Sequence, residues 1–147
     1  MKILYVNIYG LGGQVKQMTL KHIFSLVSAY VVFFQETRIS GDQAVNILKN
    51  FFVDWNFLSL DAFGFSSAQV MGRTSSFSLM NSYVVISSLC VELYSQYLRN
   101  TLHILNVYGP YEEREAFCDD LLLKSWLEMD KFILAGDLNF TLSVGEV

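Results

Sequence analysis

The sequence predicts a layered α/β domain. Short, continuously apolar runs of β-branched and aromatic residues alternate with stretches whose apolar residues recur at helical spacing. One of those runs, Val31-Val32-Phe33-Phe34, has no polar face at all, as expected of a strand covered on both sides. Polar residues stand where several of the runs finish, which is where ligands gather in α/β sheets.

The elements follow in order. Ile3–Val6 reads as a buried strand ending at Asn7, before a turn rich in glycine (Gly10, Gly12, Gly13). Val15–Tyr30 reads as an amphipathic helix with Val15, Met18, Ile23, Leu26, Val27 and Tyr30 on its apolar side. Val31–Phe34 is the second strand, with Gln35 and Glu36 at its end. Gly41–Phe52 is a second helix, Asp42 its expected N-cap, and Ala44, Val45, Ile47, Leu48 and Phe51 its core face. Between Asp54 and Tyr97 the aromatic and Ser-rich segments, punctuated by Gly64 and Gly72, suggest several short strands, with runs at Tyr83–Ile86 and Val91–Tyr94. Thr101–Val107 is a clearer strand leading into Tyr108-Gly109-Pro110, so that the single proline falls just outside it. Glu112–Trp126 shows a helical stripe with acidic residues in its first turn, where the helix dipole favours them. Phe132–Ala135 is the last strand, delivering Gly136-Asp137-Leu138-Asn139 at its carboxyl end.

Composition narrows the function classes. The chain has 147 residues, about one domain's worth, and no internal repeat, Pro-rich linker or low-complexity tract. With 52% hydrophobic and only 16% charged residues it is not disordered, and it carries more apolar surface than one small domain usually needs. Apolar runs such as Tyr30–Phe34 fall far short of the ~20 residues of a membrane-spanning helix, and the N-terminus lacks a signal-peptide pattern. The chain is expected to be intracellular, the nucleus included. Cys90 and Cys118 have neither C-x-x-C spacing nor a nearby histidine and read as reduced core thiols. The formal net charge of -4 argues against strong nonspecific binding to nucleic acid. Its distribution is uneven: Lys2, Lys16, Lys21 and Arg38 face only Glu36 in the first 38 residues, whereas Tyr111–Asp130 is strongly acidic. A phosphate-bearing ligand would favour the first segment, although two ordinary solvated faces explain the pattern equally well.

The residues at strand ends are Asn7, Glu36, Tyr108, Asp137 and Asn139. Singly, each has a plain structural explanation as a turn former, a loop cap or a solvated side chain. Together they meet the needs of metal-assisted phosphodiester hydrolysis. Mg²⁺ takes hard oxygen ligands, typically one or two carboxylates with waters and phosphate oxygens, and Glu36 beside the Asn7 amide oxygen suits it. Asp137 can take a proton from an attacking water, while Asn139 and the Tyr108 hydroxyl can donate to a phosphate as its charge builds.

Four segments carry a resemblance: Tyr5-Val6-Asn7-Ile8-Tyr9-Gly10-Leu11-Gly12, Phe34-Gln35-Glu36-Thr37, Asn106-Val107-Tyr108-Gly109-Pro110 and Gly136-Asp137-Leu138-Asn139. Their order resembles that of the endonuclease/exonuclease/phosphatase superfamily over nearly the whole chain. More narrowly, the Asn106–Arg114 segment, the Gly-Asp-Leu-Asn motif and the Leu142–Glu146 tail resemble the N-terminal endonuclease domain of plant-type non-LTR (LINE) retrotransposons. The resemblance implies a four-layer α/β sandwich, with two mixed sheets face to face and helices outside. It implies Mg²⁺, with Mn²⁺ as a substitute, at Asn7 and Glu36. Tyr108 would contact the scissile phosphate, and Asp137 would orient or deprotonate the water with Asn139 in support. The implied reaction is Mg²⁺-dependent nicking of DNA.

Departures set the reach of that reading. Val6 stands where members usually have Trp, Tyr9 where many nucleases have an acidic residue, and Ser67-Ala68 where a Gly pair is common. The superfamily's C-terminal part supplies a further acidic residue and an Asp-His pair, and nothing after Asn139 provides them. His22, on the expected first helix, and His103, inside an expected strand, are read as structural. Residues 1–147 are therefore expected to form only the N-terminal portion of such a domain, an incomplete sandwich inactive as this fragment. Its uncovered apolar faces would favour self-association. The alternatives are a noncatalytic nucleic-acid-binding remnant using the basic residues, or another phosphohydrolase of the same superfamily.

Overall fold

In the computed structural model, which describes residues 1–61, 68–85, 88–122 and 128–139, the wholly apolar run after the first helix becomes strand β2 (Val31–Gln35), buried along its whole length. Its position explains its composition. β2 lies inside a four-stranded sheet of order β1-β2-β4-β3, formed with β1 (Ile3–Asn7), β3 (Trp55–Leu60) and β4 (Gln69–Thr74). β1 runs parallel to β2, while β4 is antiparallel to both β2 and β3, so the sheet is mixed. Among the described residues β1 is the edge strand of this sheet, and it is half-buried rather than buried as its apolar run suggested.

Helix α1 (Gln14–Leu26) makes the crossover from β1 to β2 that a parallel pair requires. It is shorter than the expected Val15–Tyr30 because the Tyr30 N–H donates to the Lys2 carbonyl at 3.0 Å, an extended pairing incompatible with a helix. Its buried side is also not the expected one. Val15, Met18 and Leu26 are 78%, 65% and 71% exposed, and Leu20 is the residue that is buried. Phe24 joins it against the sheet, its ring 5.8 Å from that of Phe34 and 4.6 Å from that of Phe52. Helix α2 (Gly41–Phe51) buries Ala44 and Leu48 on the same core, with Val45, Ile47, Trp55 and Phe57 around it. Its N-cap is Ser40, whose hydroxyl accepts from the Gln43 N–H at 3.4 Å, and not Asp42, which sits inside the first turn facing the helix dipole. Asp61 accepts from the Gly41 N–H at 2.6 Å, so a second side chain holds that helix end.

The other sheet has the order β5-β6-β7-β8, from β5 (Phe77–Val85), β6 (Ser88–Ser95), β7 (Asn100–Tyr108) and β8 (Phe132–Asp137). β7 and β8 are parallel, joined through helix α3 (Arg114–Leu122), whose Phe117 packs with Cys90, Leu105 and Val107. Cys90 is buried, Cys118 half-buried, and both are free thiols. The rest of the expected third helix, to Trp126, lies outside the described residues, as do Gly64, Ser67 and Ile86 and the Leu142–Glu146 tail. The chain divides into two compact units, Met1–Ser78 with Ser95–Tyr97 and Leu79–Tyr94 with Leu98–Val147. No helix among the described residues is long and apolar enough to cross a membrane. The α/β architecture expected from the sequence, two mixed sheets with helices, is the one found.

Candidate active site

The parallel register of β1 and β2 sets Asn7 opposite Gln35, so both chains leave the sheet at the same level. Pairing continues into the turns: the Ile8, Gly10 and Leu11 N–H groups donate to the carbonyls of Gln35, Glu36 and Thr37 at 3.0, 2.7 and 2.8 Å. These bonds hold Tyr9, Glu36 and Arg38 at φ of 51°, 52° and 55°, the left-handed region that residues with side chains seldom occupy. Such conformations persist only where neighbouring bonds over-determine them, and they cluster at functional sites. Below, the Tyr5 hydroxyl donates to the amide oxygen of fully buried Gln35, closing the base of the turn.

The Asn7 amide nitrogen donates to Glu36 Oε1 at 3.0 Å, and the Asn7 amide oxygen accepts from the Tyr9 N–H at 3.3 Å. Arg38 lies 3.9 Å from Glu36 Oε2, whose side chain is only 12% exposed. The two residues named from the sequence as metal ligands are therefore brought together. Glu36 supplies a carboxylate of the kind Mg²⁺ takes, with the Asn7 amide nitrogen bonded to it and the Asn7 amide oxygen turned to the Tyr9 N–H. No group of three or more His, Cys, Asp or Glu that could hold a metal occurs among the described residues.

In the other unit, Tyr108 and Asp137 are partners at the ends of parallel β7 and β8. Gly136, at φ 149°, comes so close to the Val107 backbone that no side chain would fit, which accounts for the glycine of the Gly-Asp-Leu-Asn segment. Asp137 Oδ1 accepts from the Asn139 N–H at 2.9 Å, and Asn139 Nδ2 donates to the Gly109 carbonyl at 2.6 Å. The Gly109 N–H donates to the Asp137 carbonyl at 2.7 Å. One carboxylate is thus locked by its own loop, and the Tyr108 hydroxyl lies 3.4 Å from that of Tyr111. Three of the named residues form this second constellation.

Of the basic residues, Lys16 and Arg38 reach the Asn7–Glu36 turn, Lys2 begins the far end of β1, and Lys21 is exposed on α1. His22 is exposed on α1, and His103 lies within β7, its Nδ1 3.9 Å from Glu92 Oε1. Sequence reasoning missed Gln35 and Tyr111 as members of these constellations, and it named Lys16 and Arg38 only as part of a basic segment that a phosphate-bearing ligand would favour, without placing them at this turn. Gln35 was adjacent to a named residue; the others carried only charge or aromaticity, which says nothing about where a side chain folds.

No protein-family model matches the sequence, and no curated protein matches it. Among solved structures, the fold is similar to that of D. rerio TDP2 humanized by 14 mutations, with a TM-score of 0.72 at 20% identity, over 95% of this chain and 66% of that one. It is similar to D. rerio TDP2 complexed with a single-strand DNA product, with a TM-score of 0.68 at 20% identity, over 95% of this chain and 60% of that one. An endonuclease/exonuclease/phosphatase family protein from Bacteroides thetaiotaomicron gives a TM-score of 0.69 at 12% identity, over 93% of this chain and 62% of that one. The chain spans less than two thirds of the length of each, and it shares their fold.

Proposed function

We propose that this chain is the N-terminal portion of a Mg²⁺-dependent phosphodiesterase domain acting on DNA, an endonuclease of retroelement origin, and that the 147 residues by themselves do not cleave. The observation that carries the reading is the Asn7–Glu36 hydrogen bond of 3.0 Å, which joins two residues 29 apart at the ends of adjacent parallel strands. The fold shared with a TDP2 structure that holds a DNA product supports DNA as the substrate class. The Asn106–Arg114 segment, the Gly-Asp-Leu-Asn motif and the Leu142–Glu146 tail support the retroelement origin by their resemblance to such domains.

Each residue has a task. Glu36 supplies the carboxylate to a divalent cation, and Asn7 holds that carboxylate in place. Bound there, Mg²⁺ would neutralise charge building on the phosphate oxygens. Asp137, its orientation held by the Asn139 N–H, accepts a proton from the water that attacks phosphorus as the bond to the leaving oxygen breaks. The Tyr108 hydroxyl and Asn139 steady the phosphate. Losing one group of this kind typically lowers the rate ~10²–10⁴-fold, and the further acidic residue and Asp-His pair that the resembled superfamily uses are not among these 147 residues, which supports the expected inactivity.

Mn²⁺ titrated into the purified protein is expected to broaden the amide NMR signals around Asn7 and Glu36, and Glu36→Gln is expected to abolish the effect. Broadening that survives Glu36→Gln would remove Glu36 from the metal site. With Mg²⁺ and supercoiled plasmid, nicking is expected to stay at the level of an Asp137→Ala control; metal-dependent nicking above that control would refute the inactivity and uphold the class.

A further inference from the structure

Tyr9 occupies the place where many nucleases of the resembled superfamily carry an acidic residue, and here two cations flank an aromatic ring instead. The ring is on the surface, 60% exposed. The Arg38 guanidinium carbon stands 3.3 Å from its centroid and the Lys16 ammonium 5.4 Å from it. Gly10, at φ 101°, lies between the two cations, its Cβ position 3.6 Å from Arg38 Cδ and 3.7 Å from Lys16 Nζ, ordinary contact distances. Lys16 is further held by the carbonyls of Ile8 and Tyr9. Two like charges gathered on one turn repel each other unless something negative lies between or beside them. An aromatic face offsets part of that repulsion, and Glu36 beside Arg38 a further part. A net positive, surface-exposed cluster remains next to the proposed metal carboxylate.

We infer that Tyr9, Lys16 and Arg38 form a phosphate subsite that holds a backbone phosphate of single-stranded nucleic acid next to the one positioned at Glu36. Arg38 offers a planar fork of donors matched to phosphate oxygens, Lys16 a compact second charge, and the Tyr9 ring fixes both. With an aromatic residue and two cations where the resembled nucleases carry an acidic residue, this edge of the turn is an anion binder. The identity of the ligand rests on the phosphodiesterase reading; the anion-binding geometry does not. A free phosphate would satisfy the same groups.

The test is binding of a fluorescent single-stranded oligodeoxynucleotide, without divalent metal, across a range of salt concentrations. Arg38→Gln and Lys16→Gln are each expected to lower the slope of log affinity against log salt by about 0.7, the contribution of one phosphate contact on a single strand. Tyr9→Ala is expected to weaken binding and Tyr9→Phe to preserve it. Lys21→Gln, exposed on α1 and outside the cluster, is expected to leave the slope unchanged. All four positions are exposed, so these variants leave the core intact. Partial displacement of the oligonucleotide by inorganic phosphate identifies the nucleic-acid backbone as the ligand, and complete displacement at equal affinity identifies free phosphate. An equal loss of slope in Lys21→Gln and Arg38→Gln would overturn the subsite in favour of a diffuse field. If the cluster variants leave the slope unchanged while Mn²⁺ still broadens signals through Glu36, the subsite alone fails. If the slope follows the cluster while Mn²⁺ has no effect, the phosphodiesterase reading alone fails.

Discussion

Asn139 shows how much one residue can do in this molecule. Its backbone is left-handed at φ 55°, a conformation Asn tolerates better than most residues. Its N–H secures Asp137 and its side chain secures the Gly109 carbonyl. Asn139→Ala keeps the first bond and removes the second, leaving a partly buried carbonyl without that donor. The variant is expected to lose ~1–2 kcal/mol in chemical denaturation; an unchanged midpoint would show that the Asn139–Gly109 bond contributes nothing. The motif identified Asn139 as a candidate, but the partner thirty residues earlier was not legible in it, because side-chain donors of this kind reach whatever backbone the fold brings past them. Glu36 is similar: its type and place at the end of an apolar run marked it, whereas its bond to Asn7 depends on the two strands being parallel and in register.

At the level of elements, close packing decides what pattern alone does not. Gly72 in β4 looked like a break between segments, yet it sits within a strand with the Phe57 ring over it: an added Cβ would lie 2.6 Å from Phe57 Cε1 and 3.0 Å from Val32 Cγ1. Gly72→Ala is therefore expected to destabilise the first unit by ~1–3 kcal/mol through overpacking. Phe57→Leu should relieve part of that loss, so that the two substitutions are non-additive; additive effects in a double-mutant cycle would refute the contact. The same competition reoriented α1. Val15, Met18 and Leu26 fit a helical stripe, but Leu20 and Phe24 face the sheet because Phe24 nests among Phe34, Phe52 and Trp55. The cap of α2 moved from Asp42 to Ser40 for a local reason, since Asp42 lies inside the first turn whereas the Ser40 hydroxyl, just before it, reaches the Gln43 N–H.

For the molecule as a whole, the second unit carries a titratable core. Burial pushes the Cys90 thiol above its ordinary value of 9.0. Desolvation, and then donation of a hydrogen bond to Cys90, pushes the Tyr83 hydroxyl up as well. Both groups stay neutral in the folded chain at a pH where the unfolded chain would ionise them. Their stabilisation is complete below the unfolded thiol value, near 9.0, and is lost as pH rises from there through the folded values. Thermal stability is thus expected to hold up to about pH 9 and then to fall. Cys90→Ala combined with Tyr83→Phe should flatten the alkaline fall; an equally steep decline in that double variant would assign it to other groups.

The order of helices and strands outside 54–97, and the polar residues that end those strands, were determined by the sequence alone, because both depend on local periodicity and on the chain order of short segments. Only the tertiary structure decided that Asn7 bonds Glu36, that Asn139 bonds Gly109, that Asp61 holds the start of α2, and that Lys16 and Arg38 meet on Tyr9. Each depends on strand register and on how helices pack, and a slip of one residue in register would turn every side chain of a strand to the other face. Residue types at strand ends can be read along a chain; which of them touch is set by how distant segments pair.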